Sequence, residues 1–310
     1  VIFLNLLFIF YRLKGKKIIF FYHPRELLTS IQTYVFDDLF NDYDDKYIII
    51  YGHSSNNKLK KKYFYIKETY LQFLSKVEIF MSCYICDKFI KNSKKIYVDH
   101  NIYCAQLVGL DKQKRLCERL SSYDLIFSPS QNVINLYKEF FSKYRDIKLP
   151  EFEEIGYPRF DFLEKKIFKN NKIQKDSIII SPTNFRAFPD LTLINNLKEI
   201  VDKLLLETNY NIIFRPHPSN RKDLLTKDIK DKYASNKKFF YDDSDDYSLV
   251  FSRSVFLITD MSDTAYMFSF LTSCPVIFFT KNENNLSLYK YENLHYFKNR
   301  DKIGIILKNI

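Results

Sequence analysis

Short apolar runs alternate with stretches whose apolar positions recur every three or four residues, and this rhythm continues along nearly the whole chain. Lys17 to Tyr22 reads as an apolar strand, Glu26 to Phe40 as an amphipathic helix and Tyr47 to Tyr51 as a second strand, so the chain opens with a β-α-β unit and a parallel sheet. The same reading predicts a helix over Glu68 to Ile90, a strand over Lys95 to Asp99, a helix over Gln113 to Ser121, a strand over Leu125 to Ser128, a helix over Asn132 to Tyr144 and a short strand over Glu153 to Tyr157. Phe160 to Lys175 is basic and polar, carries Asn170 and Asn171, and reads as a connector. Beyond it, strands at Ser177 to Ser181, Tyr210 to Phe214, Lys238 to Tyr241, Val255 to Thr259 and Pro275 to Phe279 alternate with helices near Leu191 to Glu207, Lys222 to Lys232, Asp246 to Ser252 and Asp263 to Leu271. The predicted class is α/β, with two Rossmann-like domains, residues 1–165 and 166–310, whose parallel sheets face a cleft.

The 310 residues suffice for two such domains of roughly 150 residues, each with its own core. Lys and Arg outnumber Asp and Glu by 48 to 37, a net charge of +11 that attracts anions. The lysines are scattered and no Arg-rich arm or RNA-binding aromatic signature occurs, which argues against a nucleic-acid partner. Five cysteines include the pair Cys83 and Cys86, followed by Cys104 and Cys117. That spacing invites a zinc reading, but the pair falls inside the predicted helix without a Gly or Pro knuckle and reads better as small buried apolar residues. No metal is expected.

Val1 to Leu13 is almost wholly apolar and ends among Arg12, Lys14, Lys16 and Lys17. It is shorter than the about 20 residues that span a bilayer. Two readings stay open: a buried element, or an interfacial anchor whose basic flank meets anionic headgroups.

Only five glycines occur, and neither G-x-G-x-x-G nor G-x-x-x-x-G-K is present. A phosphate site here must be built from hydroxyls, basic side chains and helix amides. Ile258 to Thr264 runs a strand off its carboxyl end into Asp260, Met261, Ser262, Asp263 and Thr264, where open α/β sheets bind ligands. Ser262 and Thr264 can offer hydroxyls and amides at a helix N-terminus; simple helix capping is the plain alternative. In Phe214-Arg215-Pro216-His217-Pro218 each proline keeps its predecessor extended, so Arg215 and His217 sit in a stiff loop suited to phosphate oxygens. Asp99-His100-Asn101 ends a strand of the first half, and His100 is the candidate general base. Asp242 to Asp246 reads as capping and dipole compensation rather than a D-x-D metal motif. His23, before Pro24 and Arg25, and His53 are weaker candidates.

In order and spacing, several segments resemble the CDP-glycerol glycerophosphotransferase family of teichoic acid and capsule polymer synthesis. They are Asp99-His100-Asn101, Gly156 to Asp161, Ser181-Pro182-Thr183-Asn184-Phe185-Arg186, Arg215 to Pro218, and Ile258 to Ser262 with Cys274 to Phe279 downstream. The resemblance implies a GT-B-like fold, a donor held by the second domain, metal-independent transfer with no cofactor, and a cytoplasmic protein peripheral on the inner face of the membrane. Its partners would be a CDP-linked donor and a lipid-linked or polymeric acceptor. Carried onto this chain, His100 and His217 act in catalysis, and Arg215, Ser262, Asp263 and Thr264 hold donor phosphates. Asn184, Arg186 and Asp260 lie near the donor, and Asn101 and His23 on the acceptor side. Asn101 replaces the family's Gly, and Asp263 stands where Ser or Thr is usual, adding a carboxylate beside the pyrophosphate position.

Two other readings keep a place: a GT-B glycosyltransferase using a nucleotide sugar for capsule or lipopolysaccharide synthesis, and a non-catalytic basic protein binding membrane or nucleic acid.

Overall fold

The structure, a computed structural model, describes residues 1–23, 46–54, 63–99, 102, 113–169, 173–244, 246–280 and 299–307. It divides into two compact units, Val1–Arg159 and Phe160–Ile310.

In the first unit, helix α1 (Ile2–Leu13) leads into β1 (Lys17–His23), β2 (Tyr47–His53), β3 (Tyr63–Tyr65), β4 (Ile79–Ser82) and β5 (Lys94–Val98), followed by α2 (Gln113–Leu120), β6 (Leu125–Ser128), α3 (Gln131–Ser142) and β7 (Glu151–Glu154). The strands form one parallel sheet in the order β3-β2-β1-β4-β5-β6-β7. Strand β1 is central and buried on both faces, which is why it reads as an unbroken Ile-Ile-Phe-Phe-Tyr run. The chain proceeds outward from β1 to β2 and β3, then returns to β4 on the other side, so the order of connections, though not the strand direction, reverses between β1 and β4.

Helix α4 (Pro158–Lys169) follows, and the second unit continues with β8 (Ser177–Ile180), α5 (Leu197–Glu207), β9 (Asn211–Phe214), α6 (Leu224–Tyr233), β10 (Phe239–Tyr241), α7 (Ser248–Ser252), β11 (Ser254–Thr259), α8 (Thr264–Thr272), β12 (Val276–Phe279) and β13 (Gly304–Leu307). Its parallel sheet has the order β10-β9-β8-β11-β12-β13, with the reversal between β8 and β11. Ile178, Ile180, Ile212, Phe214 and Ile258 pack beneath Leu197 and Val201 of α5 and Ile229 and Tyr233 of α6. Gly304 permits the β12–β13 pairing, because a Cβ there would collide with the Val276 carbonyl.

Two sequence expectations are corrected. The helix predicted over Glu68 to Ile90 is a 3-10 turn at Glu68–Phe73 and then strand β4. Lys76 takes a left-handed φ of 64°, which interrupts any helix there, and Phe80 and Met81 are buried in the sheet. Cys83 and Cys86 therefore follow a strand rather than lying in a helix. Both are buried, Tyr123 Oη accepts the Cys86 amide at 2.9 Å, and burial pushes the Cys86 thiol well up. Among the described residues no group of three or more His, Cys, Asp or Glu side chains is arranged for a metal ion.

The connector predicted over Phe160 to Lys175 is helical as far as Lys169. Gly156 turns the chain at φ 74°, Pro158 supplies a preset first helical residue, and Leu163 and Ile167 bury one face at i, i+4 spacing. The helix predicted over Glu26 to Phe40 lies outside the described residues.

Helix α1 has a buried and an exposed face. Leu4 and Phe8 are buried against Ile18, Phe20 and Phe80, and Asn5 is tied to the Phe73 carbonyl at 2.9 Å and the Ser75 amide at 3.0 Å. Ile2, Phe3, Leu6, Ile9, Phe10 and Leu13 are exposed. Among the described residues no helix is long and apolar enough to cross a membrane.

Candidate functional site

Ligands of open parallel sheets sit beyond the carboxyl ends of the strands at the reversal point, where the loops of two neighbouring strands diverge. In the second unit those strands are β8 and β11. They deliver Ser181-Pro182-Thr183-Asn184 from one and Asp260-Met261-Ser262-Asp263 from the other, with Arg215 arriving from β9 next door. The sequence patterns thus converge on one sheet edge.

Asp260 organises it. The residue is fully buried, and its carboxylate accepts backbone N–H groups from Thr183 at 2.8 Å, Met261 at 2.6 Å and Leu193 at 2.9 Å. Burial pushes its pKa up to about 6 despite these donors. Asp260 is thus a fastener between the β8 and β11 loops rather than a group presented to a ligand.

Past that fastener the chain enters α8, whose first-turn amides carry the positive end of the helix dipole. Ser262 Oγ accepts the Thr264 amide at 3.3 Å, and Asp263 occupies the N-cap position without a side-chain cap bond. Thr264 begins the helix, half-buried. Beneath the loop, buried Arg300 stacks on Phe278 at 5.7 Å. No motif marked Arg300, because it comes from a distant stretch of chain.

Arg215 has several partners within the second unit. Its guanidinium forms an ion pair with Asp242, and it donates to the Ser244 carbonyl at 2.9 Å and hydroxyl at 3.3 Å while lying 5.1 Å from the Tyr247 ring centroid. These internal bonds engage both terminal nitrogens, so Arg215 joins the ends of β9 and β10. Asp242 is accordingly an ion-pair partner, while Asp246 lies one residue before the N-cap of α7, where it accepts the Ser248 amide at 3.0 Å and pairs with Lys166; Asp245 lies outside the described residues. Arg221, which sequence reasoning missed, donates to the same Ser244 carbonyl at 3.1 Å.

His217 is half-buried, and its Nδ1 accepts the Ser219 amide at 3.2 Å. That bond places the ring hydrogen on Nε2. Desolvation, then the nearby Arg221 charge, push its pKa down to about 4, so at neutral pH the imidazole is uncharged and Nε2–H is a donor. Asn184 Oδ1 accepts the Arg186 amide at 3.2 Å, turning the loop after β8, and the exposed Arg186 side chain pairs with Asp223 at 2.6 Å.

In the first unit the reversal point lies at the carboxyl ends of β1 and β4. His23 ends β1, buried, with its ring against Tyr84 at 5.0 Å and with His53 as its register partner on β2. His100 and Asn101 lie outside the described residues. Their predecessor Asp99 is buried and takes the Tyr137 hydroxyl at 2.7 Å, and its amide binds the Phe127 carbonyl at 2.9 Å. The chain is therefore pinned one residue before the candidate base. Tyr137 was invisible to motif reading because it comes from a helix whose apolar stripe explains it equally well.

A family model described as CDP-Glycerol:Poly(glycerophosphate) glycerophosphotransferase matches residues 4–308. Teichoic acid glycerol-phosphate primase of Bacillus subtilis (strain 168) is 28% identical over 253 residues, covering 73% of this chain and 60% of the relative. The minor teichoic acid biosynthesis protein GgaB of the same strain is 25% identical over 297 residues, covering 83% of this chain and 30% of GgaB. The chain spans less than two thirds of either relative. Among solved structures, the wall teichoic acid polymerase TagF aligns with a TM-score of 0.65 at 19% identity, over 95% of this chain and 77% of that one. The UDP-GlcNAc 2-epimerase from Methanocaldococcus jannaschii aligns with a TM-score of 0.55 at 12% identity, over 95% and 89%. At those identities the likeness is one of fold, two parallel-sheet α/β domains of GT-B type.

Proposed function

The chain belongs to the CDP-glycerol:poly(glycerophosphate) glycerophosphotransferase family, and from that premise we propose that it transfers glycerol phosphate from CDP-glycerol to a hydroxyl of a teichoic-acid-type polymer or its lipid-linked precursor. The observation that carries this reading is the edge at β8 and β11, where α8 offers its N-terminus beside Ser262 and Thr264, and His217 presents an uncharged Nε2–H donor from the β9 loop. Such a set suits a diphosphate. Neutral donors and helix amides bind its oxygens and go on binding them as charge shifts to the departing nucleotide.

In the proposed step an acceptor hydroxyl oxygen attacks the β-phosphorus, His100 takes the hydroxyl proton, and the bond between the β-phosphorus and the bridging oxygen breaks. The products are a new phosphodiester and CMP. Arg215 contributes by holding the loop that carries His217. In this reading the donor charge is met by protein groups and the reaction needs no divalent cation, so activity should survive a chelator.

The membrane face of the proposal rests on α1. Its exposed apolar row and the neighbouring Lys14, Lys16 and Lys17 combine greasy area with positive charge, the pairing that seats a helix at an anionic interface. Such seating would bring the enzyme to a lipid-linked acceptor on the inner face of the membrane.

Incubation with CDP-glycerol, CDP-ribitol, CMP-sugars or UDP-sugars plus a lipid-linked acceptor tests the reading through nucleotide release. CMP should appear with CDP-glycerol, and release from sugar nucleotides alone would sink the proposal in favour of glycosyl transfer.

A further inference from the structure

On the second unit, away from the donor edge, the Lys175 ammonium has an unusual partner. Its Nζ lies 2.7 Å from Cys274 Sγ and 3.4 Å from the Thr272 carbonyl. A distance of about 2.7 Å is the lower limit for N–H···O bonds, and sulfur is the larger atom. The two atoms are at a separation that one bridging oxygen would span.

Both ends are held in place. Asp176, next to Lys175, is gripped by Arg253 through two bonds of 3.0 and 2.8 Å, and Asn211 adds a third contact at 3.1 Å. Cys274 is buried, its amide bonds Thr272 Oγ1 at 3.2 Å, and its Sγ lies near the Ser254 and Thr272 carbonyls at 3.7 and 3.4 Å. It follows Ser273, the left-handed C-cap of α8 at φ 54°. Lys175 is exposed, so small oxidants reach the pair from solvent. The other described cysteines, Cys83, Cys86 and Cys117, are buried in the first unit, and no described thiol lies within bonding reach of Cys274, which leaves the amine as its neighbour.

We propose that Lys175 and Cys274 form a reversible covalent Sγ–O–Nζ bridge, a modification site that clamps the C-terminal end of α8 to the lead-in of β8. With dioxygen as oxidant the step balances. Sulfur and nitrogen each give up one hydrogen and two electrons, one oxygen atom enters between them, and the second leaves as water with the two hydrogens. If the amine starts as ammonium, its extra proton goes to solvent. Two equivalents of a dithiol reductant return thiol and amine, each supplying two electrons and two protons on becoming a disulfide, and the bridging oxygen leaves as water. Because α8 carries the donor site at its other end, the clamp regulates donor binding; that consequence rests on the function proposed above, whereas the bridge itself does not.

Intact-mass measurement of the full chain in dioxygen-saturated buffer tests the bridge. Wild type should gain about 14 Da, one oxygen less two hydrogens, and trypsin should release the peptides of Lys175 and Cys274 as one joined species that dithiothreitol separates. Lys175→Arg and Cys274→Ser should each abolish the joined species. A gain of about 16 or 32 Da on Cys274 with normal cleavage after Lys175 would mean simple sulfur oxidation and would overturn the proposal, as would no gain in mass. Calorimetry with CDP-glycerol on bridged and reduced protein then reads the coupling, expected as about a fivefold difference in Kd. Equal Kd values would overturn the regulatory part. Failure of both forms to bind CDP-glycerol would instead strike the proposed function and leave the mass result intact.

Discussion

The Arg215 guanidinium is closed into an ion pair with the Asp242 carboxylate, with side chains only 10% and 14% exposed, and it reaches on to the Ser244 carbonyl. Removing one member strands the other charge in a desolvated place, at a cost of about 3–5 kcal/mol, whereas removing both costs far less. Arg215→Met and Asp242→Leu should therefore each lower the urea midpoint sharply, and the Arg215→Met/Asp242→Leu double variant should recover most of the loss. Additive effects in the cycle would contradict a coupled pair.

Asp260→Asn should destabilise by about 1–3 kcal/mol, because the amide's own N–H₂ must face one of three backbone donors that now meet oxygen. The pH dependence has a definite sign. The folded pKa is raised from 3.8 to about 6, so the folded state binds the extra proton and Asp260's contribution is greatest below that interval and lost as pH rises through about 6. The margin of wild type over the variant should widen as pH falls from 6 to 4. A margin constant across that range would mean that the carboxyl is not shifted.

This pair of sites shows what sequence could and could not disclose. The β-α alternation, the two sheets and the segments at the β8, β9 and β11 ends were legible, because strand runs and Ser/Asp/Pro loop chemistry are local. The roles of Arg215 and Asp260 were not, since both depend on partners from other strands: Asp242 and Ser244 for one, Thr183 and Leu193 for the other. The Glu68 to Ile90 stretch misled for a related reason. A run of apolar residues fits a buried strand as well as a helix, and the break falls at Lys76, whose left-handed backbone no residue type announced.

Tyr137→Phe should act on catalysis from a distance. Loss of the 2.7 Å bond to buried Asp99 loosens the anchor one residue before His100, so kcat should fall about tenfold with the donor KM unchanged. His100→Ala should cost about 10²–10⁴-fold, the usual contribution of a general base. Equal losses in kcat and donor affinity for Tyr137→Phe would point to unfolding rather than misplacement.

The exposed face of α1 gives a prediction in which charge and apolar area separate. Leu6→Glu or Phe10→Glu should reduce co-sedimentation with anionic vesicles about tenfold at low salt while leaving Tm near wild type, since neither side chain is in the core. Leu4→Glu, on the buried face, should instead lower Tm. Unchanged vesicle binding by both exposed-face variants would remove the membrane reading of this helix.

His217 and His100 should part company in a pH profile. With its Nδ1 engaged by the Ser219 amide and its pKa pushed from 6.5 down to about 4, His217 stays a neutral Nε2–H donor through the physiological range. It therefore cannot set the acid limb of kcat/KM, which falls to the general base. His217→Gln should lower kcat/KM through weaker donor binding and leave the limb where it was; a limb displaced in that variant would transfer the titrating role to His217. Stability has its own sign here. The folded imidazole resists the proton that the unfolded one accepts, so wild type should lose stability as pH falls from 6.5 toward 4, and His217→Gln should lose less over that interval. Parallel acid-denaturation curves for the two proteins would show that the ring is not held neutral by its surroundings.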